Sequence, residues 1–155
     1  MDGFYPSGRC NFALQLKSTM EHYTAQVMWA QIDGNMHLRH SAYADFATQA
    51  RMFELEKLGI TADDFLREKM GPILFREETI YLREVKPNET ITVKVAITKC
   101  LPDASRWTIR HELFRGDGVK AAEVIIDGAW MSTETRKLAV PPASIADKFL
   151  QLPQE

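Results

Sequence analysis

Three side chains capable of acid–base or carbonyl chemistry stand close together near the start of the chain. Asp33, Asn35 and His37 occupy alternate positions of a loop that also contains Gly34. A carboxylate can activate water or attack an electrophilic carbon, and an amide or imidazole can orient that water or polarise a carbonyl. Asp, Gly and Asn are also the usual turn formers, so a polar turn with loop or interface histidines at His37 and His40 is the alternative.

Two predicted elements would position this loop. Residues 23–32 form an apolar, strand-like segment that ends at the loop. A helix of about five turns follows, with Ser41 as its predicted N-cap and Gly59 as the residue that ends it. The apolar residues at helical spacing are Phe46, Ala47, Ala50 and Phe53. Free N–H groups and the positive end of the helix dipole would face the loop and suit an oxyanion, such as that formed from a thioester carbonyl.

Beyond the helix the apolar period becomes two, which is typical of strands. Residues 61–70 are predicted to form a short helical excursion, and strands are predicted around the turn-forming segments 86–89, 101–105 and 115–119. The apolar positions of the two clearest strands are Ile91, Val93, Val95 and Ile97, then Trp107, Ile109, His111 and Leu113. The simplest connection of the four strands is an antiparallel meander. The tail, 136–155, is predicted to be an extended exit with one short helical turn.

One strand, one long helix and four further strands predict an α+β fold, in which a curved sheet wraps the helix. The chain has 155 residues, 45% of them hydrophobic, so we expect one domain over 1–155 with its core at about 20–135. The aromatic residues expected in the hydrophobic core include Trp29, Phe46, Phe53, Phe75 and Trp107. One helix cannot cover every face and edge of such a sheet. We therefore expect a second copy to cover the remainder, in a homodimer or homotetramer.

Charge and cysteine content exclude several classes of protein. The 19 basic and 21 acidic residues are scattered and give a net charge of −2, so nucleic-acid binding is not expected. Cys10 and Cys100 are too few for a disulfide framework and too far apart for a CxxC pair, which favours a reducing compartment. The sequence shows neither a signal-peptide core nor the roughly 18 consecutive apolar residues of a membrane helix. We expect a soluble cytoplasmic protein.

The loop and helix together resemble a known family. The matching residues are Asp33-x-Asn35-x-His37, Tyr43, Ala50-Arg51 and Leu58-Gly59. This pattern is similar to that of acyl-CoA and acyl-acyl carrier protein thioesterases of the hotdog superfamily, including the 4-hydroxybenzoyl-CoA thioesterase type. The order of elements over roughly 20–135 also matches. The resemblance implies a hotdog fold, an antiparallel curved sheet around one long central helix, and hydrolysis of an acyl-CoA or acyl carrier protein thioester without a cofactor.

The resemblance also assigns roles to individual residues. Asp33 would be the nucleophile or the general base on water, and the sequence does not choose between these roles. Asn35 and His37 match the polar pair that orients the water or the thioester carbonyl in plant-type relatives. Tyr43 would lie near the first helical turn and offer its backbone N–H to the carbonyl oxygen. Several relatives carry a helix glutamate where this chain has Thr48, which puts a second helix carboxylate in doubt.

Two other functions compete with hydrolysis. Hotdog hydratases and dehydratases also carry Asp and Asn two residues apart, but proline follows the Asn and the His comes five residues after the Asp. Here Met36 follows Asn35 and His37 comes four residues after Asp33, which favours a thioesterase. A non-catalytic hotdog module that binds acyl groups is the other alternative, and detectable activity on acyl-CoA would exclude it.

A CoA or carrier-protein substrate brings phosphates, for which basic residues are the natural contacts. The candidates are Arg83, Lys86, Arg106, Arg136 and Lys137. No metal-binding motif accompanies His37 and His40, so a metal-free reaction is expected.

Overall fold

A computed structural model describes residues 21–155 of the chain. Cys10 and the N-terminal segment considered for a signal peptide lie outside the described residues. Within 21–155, no helix is both long and apolar enough to cross a membrane.

One antiparallel sheet and one long helix dominate the described part of the chain. The elements are β1 (Tyr23–Gln26), α1 (His40–Lys57), α2 (Ala62–Arg67), β2 (Met70–Tyr81), β3 (Thr90–Cys100), β4 (Arg106–Arg115), β5 (Lys120–Ser132), β6 (Leu138–Ala139) and α3 (Ala143–Phe149). The strand order is β1-β3-β4-β5-β2, and β6 pairs with the end of β5. The α1 helix lies against the sheet and contacts β1, β3, β4 and β5. The predicted α+β arrangement of one long helix on one sheet is confirmed.

The period-two pattern correctly predicts which side chains of β3 and β4 are buried. Ile91, Val93, Val95 and Ile97 of β3 are buried, as are Trp107, Ile109, His111 and Leu113 of β4. These residues belong to the hydrophobic core, apart from His111, which is buried among them without being apolar. Burial of alternate apolar side chains is the main source of stability for such a sheet.

The predicted four-stranded meander is wrong in one connection. The β3-β4-β5 part is a meander, but β2 lies at the far edge beside β5, not beside β3. The connection after β2 crosses to the opposite edge of the sheet, so β2 and β3 are not neighbours. Its Val85 is fully buried and accepts a 2.7 Å hydrogen bond from the Leu38 N–H, while the Val27 N–H donates to Glu89 O at 2.9 Å. These bonds deliver the chain to the side of the sheet where β1 lies.

The predicted strand over 23–32 is too long. β1 ends at Gln26, and residues Trp29–Gln31 form one turn of 3-10 helix, closed by the Gln31 side chain, which accepts from the Met28 N–H at 2.9 Å. Val27 is buried, but Met28 and Trp29 are 60% and 62% exposed. Trp29 was predicted to be a core residue from its apolar character, and this prediction is wrong.

The other aromatic residues predicted for the core have mixed outcomes. Phe46 and Trp107 are buried as expected and Phe53 is partly buried, but Phe75 is exposed on β2.

The helix α1 starts and ends close to its predicted bounds but is capped differently. It begins at His40, after Arg39 as N-cap, and no side chain caps it. Ser41 is a helical residue whose hydroxyl accepts from Arg39 Nε at 3.1 Å. At the other end Gly59 adopts φ +73°, a left-handed conformation that ends helices, so its predicted role is confirmed. The buried face of α1 consists of Ala42, Tyr43, Phe46, Ala47, Ala50, Glu54 and Leu55.

The excursion and the tail both form the predicted short helices. Thr61 caps α2 through its side chain, and α3 corresponds to the predicted helical turn of the tail. The tail also contributes Ile145, Phe149 and Leu152 to the hydrophobic core. Phe149 packs on Trp107 and Trp130 with ring centroids 5.8 and 5.4 Å apart. Ile97 N–H then donates to Pro153 O at 2.8 Å, which fixes the last residues beside β3.

Candidate active site

The loop from Asp33 to His37 is a closed turn held by its own backbone. Asp33 N–H donates to His37 O at 2.9 Å, and Met36 N–H donates to Asp33 O at 3.1 Å. Ile32 and Leu38 form an isolated antiparallel bridge at its base. Met36 adopts φ +63°, a conformation that costs a non-glycine residue free energy and persists only where the surroundings fix it.

The same turn fixes and ionises the Asp33 carboxylate. Its Oδ1 accepts hydrogen bonds from the Asn35 N–H at 2.8 Å and the His37 N–H at 3.1 Å. The His37 bond, followed by the Asn35 bond, lowers the pKa of Asp33 below its ordinary value, because both donors favour the charged form. No donor among residues 21–155 binds Oδ2. One oxygen is thus anchored, and the other is available to a water or a substrate.

This carboxylate opens onto a groove at the junction of three elements. The groove has a volume of about 370 Å³. Its lining residues are Asp33, His37, Leu38, His40, Tyr43, Tyr81, Leu82, Arg83 and Glu84. They come from the loop, from the first turn of α1, and from the end of β2 with the connection that follows it. The crossover of that connection therefore completes the groove.

The start of α1 supplies unpaired backbone donors beside the groove. Within the described residues, the N–H groups of His40 and Ser41 have no hydrogen-bond acceptor, and Arg39 provides no side-chain cap. The first N–H groups of a helix cannot be satisfied inside it, and they carry the positive end of its dipole. The N-cap carbonyl of Arg39 accepts from the Ala42 N–H at 3.0 Å, and Tyr43 is the fourth helical residue. The N–H groups of His40 and Ser41 are therefore candidate donors to an oxyanion, and the donor role of the Tyr43 N–H stays a prediction.

The Tyr43 side chain forms one wall of the groove. The ring is buried and meets Tyr81 edge-on, with centroids 5.2 Å apart. Burial, the largest cause, raises the pKa of the Tyr43 hydroxyl, so this group stays neutral. The Tyr81 hydroxyl donates to His40 O at 3.3 Å and ties the end of β2 to the start of α1.

Asn35 and His37 take different positions relative to the groove. The His37 ring lines the groove, and its Nε2 lies 3.6 Å from Glu84 Oε2. Asn35 is exposed at the tip of the turn and is not a lining residue, so its contact with Asp33 is made by its backbone N–H.

The basic residues predicted to bind phosphates do not lie together. Arg83 lines the groove. Arg106 stacks over the Phe75 ring at 4.9 Å, beside a separate cavity of about 280 Å³. Arg136 and Lys137 are exposed in the turn before β6 and do not line the groove.

The helix position that carries glutamate in several relatives is polar but uncharged here. Thr48 Oγ1 lies 3.4 Å from Arg51 Nη2, and Arg51 Nη1 lies 3.3 Å from Nε2 of the buried His111.

Sequence reasoning missed Glu84, the second carboxylate of the groove. Its only sequence signal is its place beside Val85, and nothing in the pattern shows that this residue returns to the Asp33 loop.

No group of three or more His, Cys, Asp or Glu side chains suited to a metal ion occurs in the part of the chain that the structure describes. The metal-free reaction remains a prediction.

Solved structures with similar folds include several CoA-related proteins. A hypothetical protein of Staphylococcus aureus in complex with CoA is 19% identical, with 84% of this chain and 81% of that chain covered and a TM-score of 0.77. A 1,4-dihydroxy-2-naphthoyl-CoA thioesterase from Synechocystis is 16% identical, with coverages of 84% and 95% and a TM-score of 0.74. A gentisyl-coenzyme A thioesterase is also 16% identical, with coverages of 83% and 99% and a TM-score of 0.73. These likenesses establish the hotdog fold.

The sequence comparisons give the family. A search of curated proteins finds no match. A sequence model of the thioesterase-like superfamily matches residues 27–149, which include the Asp33 loop, α1 and all the long strands. The chain belongs to the thioesterase-like superfamily.

Proposed function

We propose that this protein hydrolyses an acyl-CoA thioester to a free acid and CoA, with Asp33 as the reacting carboxylate. The observation that carries the proposal is the ionised Asp33, which has one free oxygen, beside the uncapped start of α1. Membership of the thioesterase-like superfamily and the CoA-related proteins of the same fold support it.

The reaction follows from charge placement. A thioester carbonyl in the groove accepts hydrogen bonds from the N–H groups of His40 and Ser41, which stabilise the negative oxygen as the carbon becomes tetrahedral. Asp33 either removes a proton from the attacking water or attacks the carbon itself, in which case water then cleaves the resulting anhydride. Both routes end with the acid and the thiol. A single turnover in H₂¹⁸O tests the nucleophilic route: water that opens the anhydride at the aspartyl carbon leaves label in the Asp33 carboxylate, whereas direct hydrolysis puts label into the released acid alone.

The groove offers mainly apolar and aromatic surface to the acyl group. Leu38, Tyr43, Tyr81 and Leu82 lie around the carboxylate, and Arg83 is the one basic side chain of the lining that could meet a phosphate. We propose CoA as the carrier, because relatives of the same fold act on or bind CoA compounds. Acyl carrier protein thioesters belong in the same assay as competing substrates.

The direct test is thiol release from short-chain, long-chain and aromatic acyl-CoAs. Asp33→Asn is expected to lower kcat/KM by at least about a hundredfold, because the amide neither accepts the water proton nor attacks carbon. Asp45→Asn is the matched control: it removes an exposed carboxylate of α1 that does not line the groove, and it should retain activity. Near-normal turnover by the Asp33 variant would contradict the assignment, and no release from any acyl-CoA or acyl carrier protein would contradict hydrolysis itself.

We further propose a homodimer formed along β2. Among residues 21–155, β2 pairs with β5 alone, so its other edge carries unpaired backbone groups. Exposed apolar side chains follow this edge: Leu74, Phe75, Ile80, Tyr81 and Leu82. Pairing of two such edges would satisfy the backbone groups and cover the apolar side chains. Tyr81 and Leu82 also line the groove, so the second copy would lie beside the site.

A further inference from the structure

We propose that Glu84 is a positioning residue, which holds the His37 imidazole so that it can protonate the departing thiolate. This inference rests on the proposed hydrolase function. The observation is the 3.6 Å approach of Glu84 Oε2 to His37 Nε2 in the groove that also holds Asp33.

The backbone fixes this pair. Leu38, which follows His37, donates its N–H to the carbonyl of Val85, which follows Glu84, at 2.7 Å. Leu38 and Val85 are both buried, so this link lies in the core, and the two side chains project from it towards the groove. The imidazole and the carboxylate are therefore placed by the fold, although both remain partly exposed to solvent.

His37 contacts two carboxylates, one through its backbone and one through its ring. The backbone N–H of His37 donates to Asp33 Oδ1 at 3.1 Å, and the ring faces Glu84 through Nε2. No protein atom within residues 21–155 is hydrogen-bonded to His37 Nδ1. A carboxylate at one ring nitrogen orients the ring and leaves the other nitrogen to carry a transferable proton.

That proton completes the reaction. When the tetrahedral intermediate collapses, the C–S bond breaks and its electron pair goes to sulfur. The imidazolium gives its free N–H proton to the sulfur, which leaves as the thiol, and the ring becomes neutral. The proton that Asp33 takes from the attacking water restores the ring through solvent, so the products are one acid and one thiol. Glu84, in the crossover, is thus the second carboxylate of the groove, whereas several relatives carry a glutamate on α1 at the position of Thr48.

The test uses leaving groups of different acidity. Glu84→Gln is expected to lower kcat on an acyl-CoA about ten- to a hundredfold, since protonation of an alkyl thiolate is then rate-limiting. The thiophenyl ester of the same acyl group should lose less than about threefold, because an aryl thiolate leaves without a proton. Glu56→Gln, an exposed change on α1 outside the groove, is the control and should leave both rates unaltered.

One further readout separates positioning from a structural role. Glu84→Gln should add no loss in a His37→Ala background, because the two residues act as one unit.

The outcomes are distinct from those of the proposed function. Equal losses on both esters, or additive losses with His37→Ala, would overturn the positioning role while wild-type hydrolysis and its dependence on Asp33 stood. A wild-type protein that releases no thiol would instead remove the proposed function.

Discussion

His111 makes the stability of this fold depend on pH in a way that can be calculated. The side chain is fully buried on β4, next to α1. The arginine can only donate, so His111 Nε2 accepts from Arg51 Nη1 at 3.3 Å and the Nδ1–H donates to Val124 O at 2.9 Å. Burial first, and then the Arg51 charge, lower the pKa of His111 from 6.5 to about 3.

The sign follows from the two proton affinities. Below pH 6.5 the unfolded chain binds a proton on His111, whereas the folded chain binds none until about pH 3. Lower pH therefore favours the unfolded state, and the free energy of unfolding falls by about 1.4 kcal/mol per pH unit across this window. Between pH 7.5 and pH 4.5 the loss attributable to His111 is about 3 kcal/mol.

Urea denaturation of wild type and His111→Leu at several pH values measures this loss. At pH 7.5 the variant should be less stable by about 1–3 kcal/mol, because the Val124 carbonyl and the Arg51 guanidinium each lose a partner. By pH 4.5 the difference should shrink by about 3 kcal/mol or change sign, because only in the wild type does unfolding add a proton to His111. Other ionisable groups cancel in the comparison, and His40→Leu, at an exposed histidine, should not change the slope. A wild-type minus His111→Leu difference that is independent of pH would refute the reasoning.

Two further predictions concern packing and assembly. Gly128→Ala places a Cβ against the six-membered ring of Trp107, so we expect about 1–3 kcal/mol of destabilisation and a lower Tm by calorimetry, and an unchanged Tm would contradict this close packing. Light scattering should give twice the mass of one chain for the wild type. Ile80→Lys should give the mass of one chain, because it puts like charges across the paired β2 edges. The control Val119→Lys, at a similarly exposed site at the end of a hairpin, should keep twice the mass. A monomeric wild type would contradict the dimer.

Local patterns were sufficient to predict most elements of the fold. Helical spacing with Gly59 at its end gives α1, and alternate apolar residues give β3 and β4, because burial on one face imposes these periods directly. The same rules cannot place β2 beside β5. That pairing joins residues 41 to 62 positions apart, from Tyr81 with Ala122 to Met70 with Ser132, and no local pattern shows that the connection after β2 crosses to the other edge of the sheet.

The candidate site likewise contains residues that a local sequence pattern marks and residues that it does not. Asp33 and His37 are four residues apart in sequence, and their turn closes on itself, so the D-x-N-x-H pattern was sufficient to single them out as candidates. Tyr81 reaches the groove at the end of β2 and Glu84 through the crossover, and no local pattern marks either residue. The exposed Trp29 shows the reverse error, because apolar character alone cannot tell a core residue from one on the surface.

The distribution of the three tryptophans gives the protein two separate optical probes. Trp107 and Trp130 are buried in the aromatic cluster with Phe149, whereas Trp29 is 62% exposed, four residues before Asp33. Indole emission shifts to longer wavelength in water, so iodide should quench the red part of the spectrum and spare the blue part. The blue emission reports the integrity of the sheet, and the quenchable emission reports on the immediate surroundings of the loop.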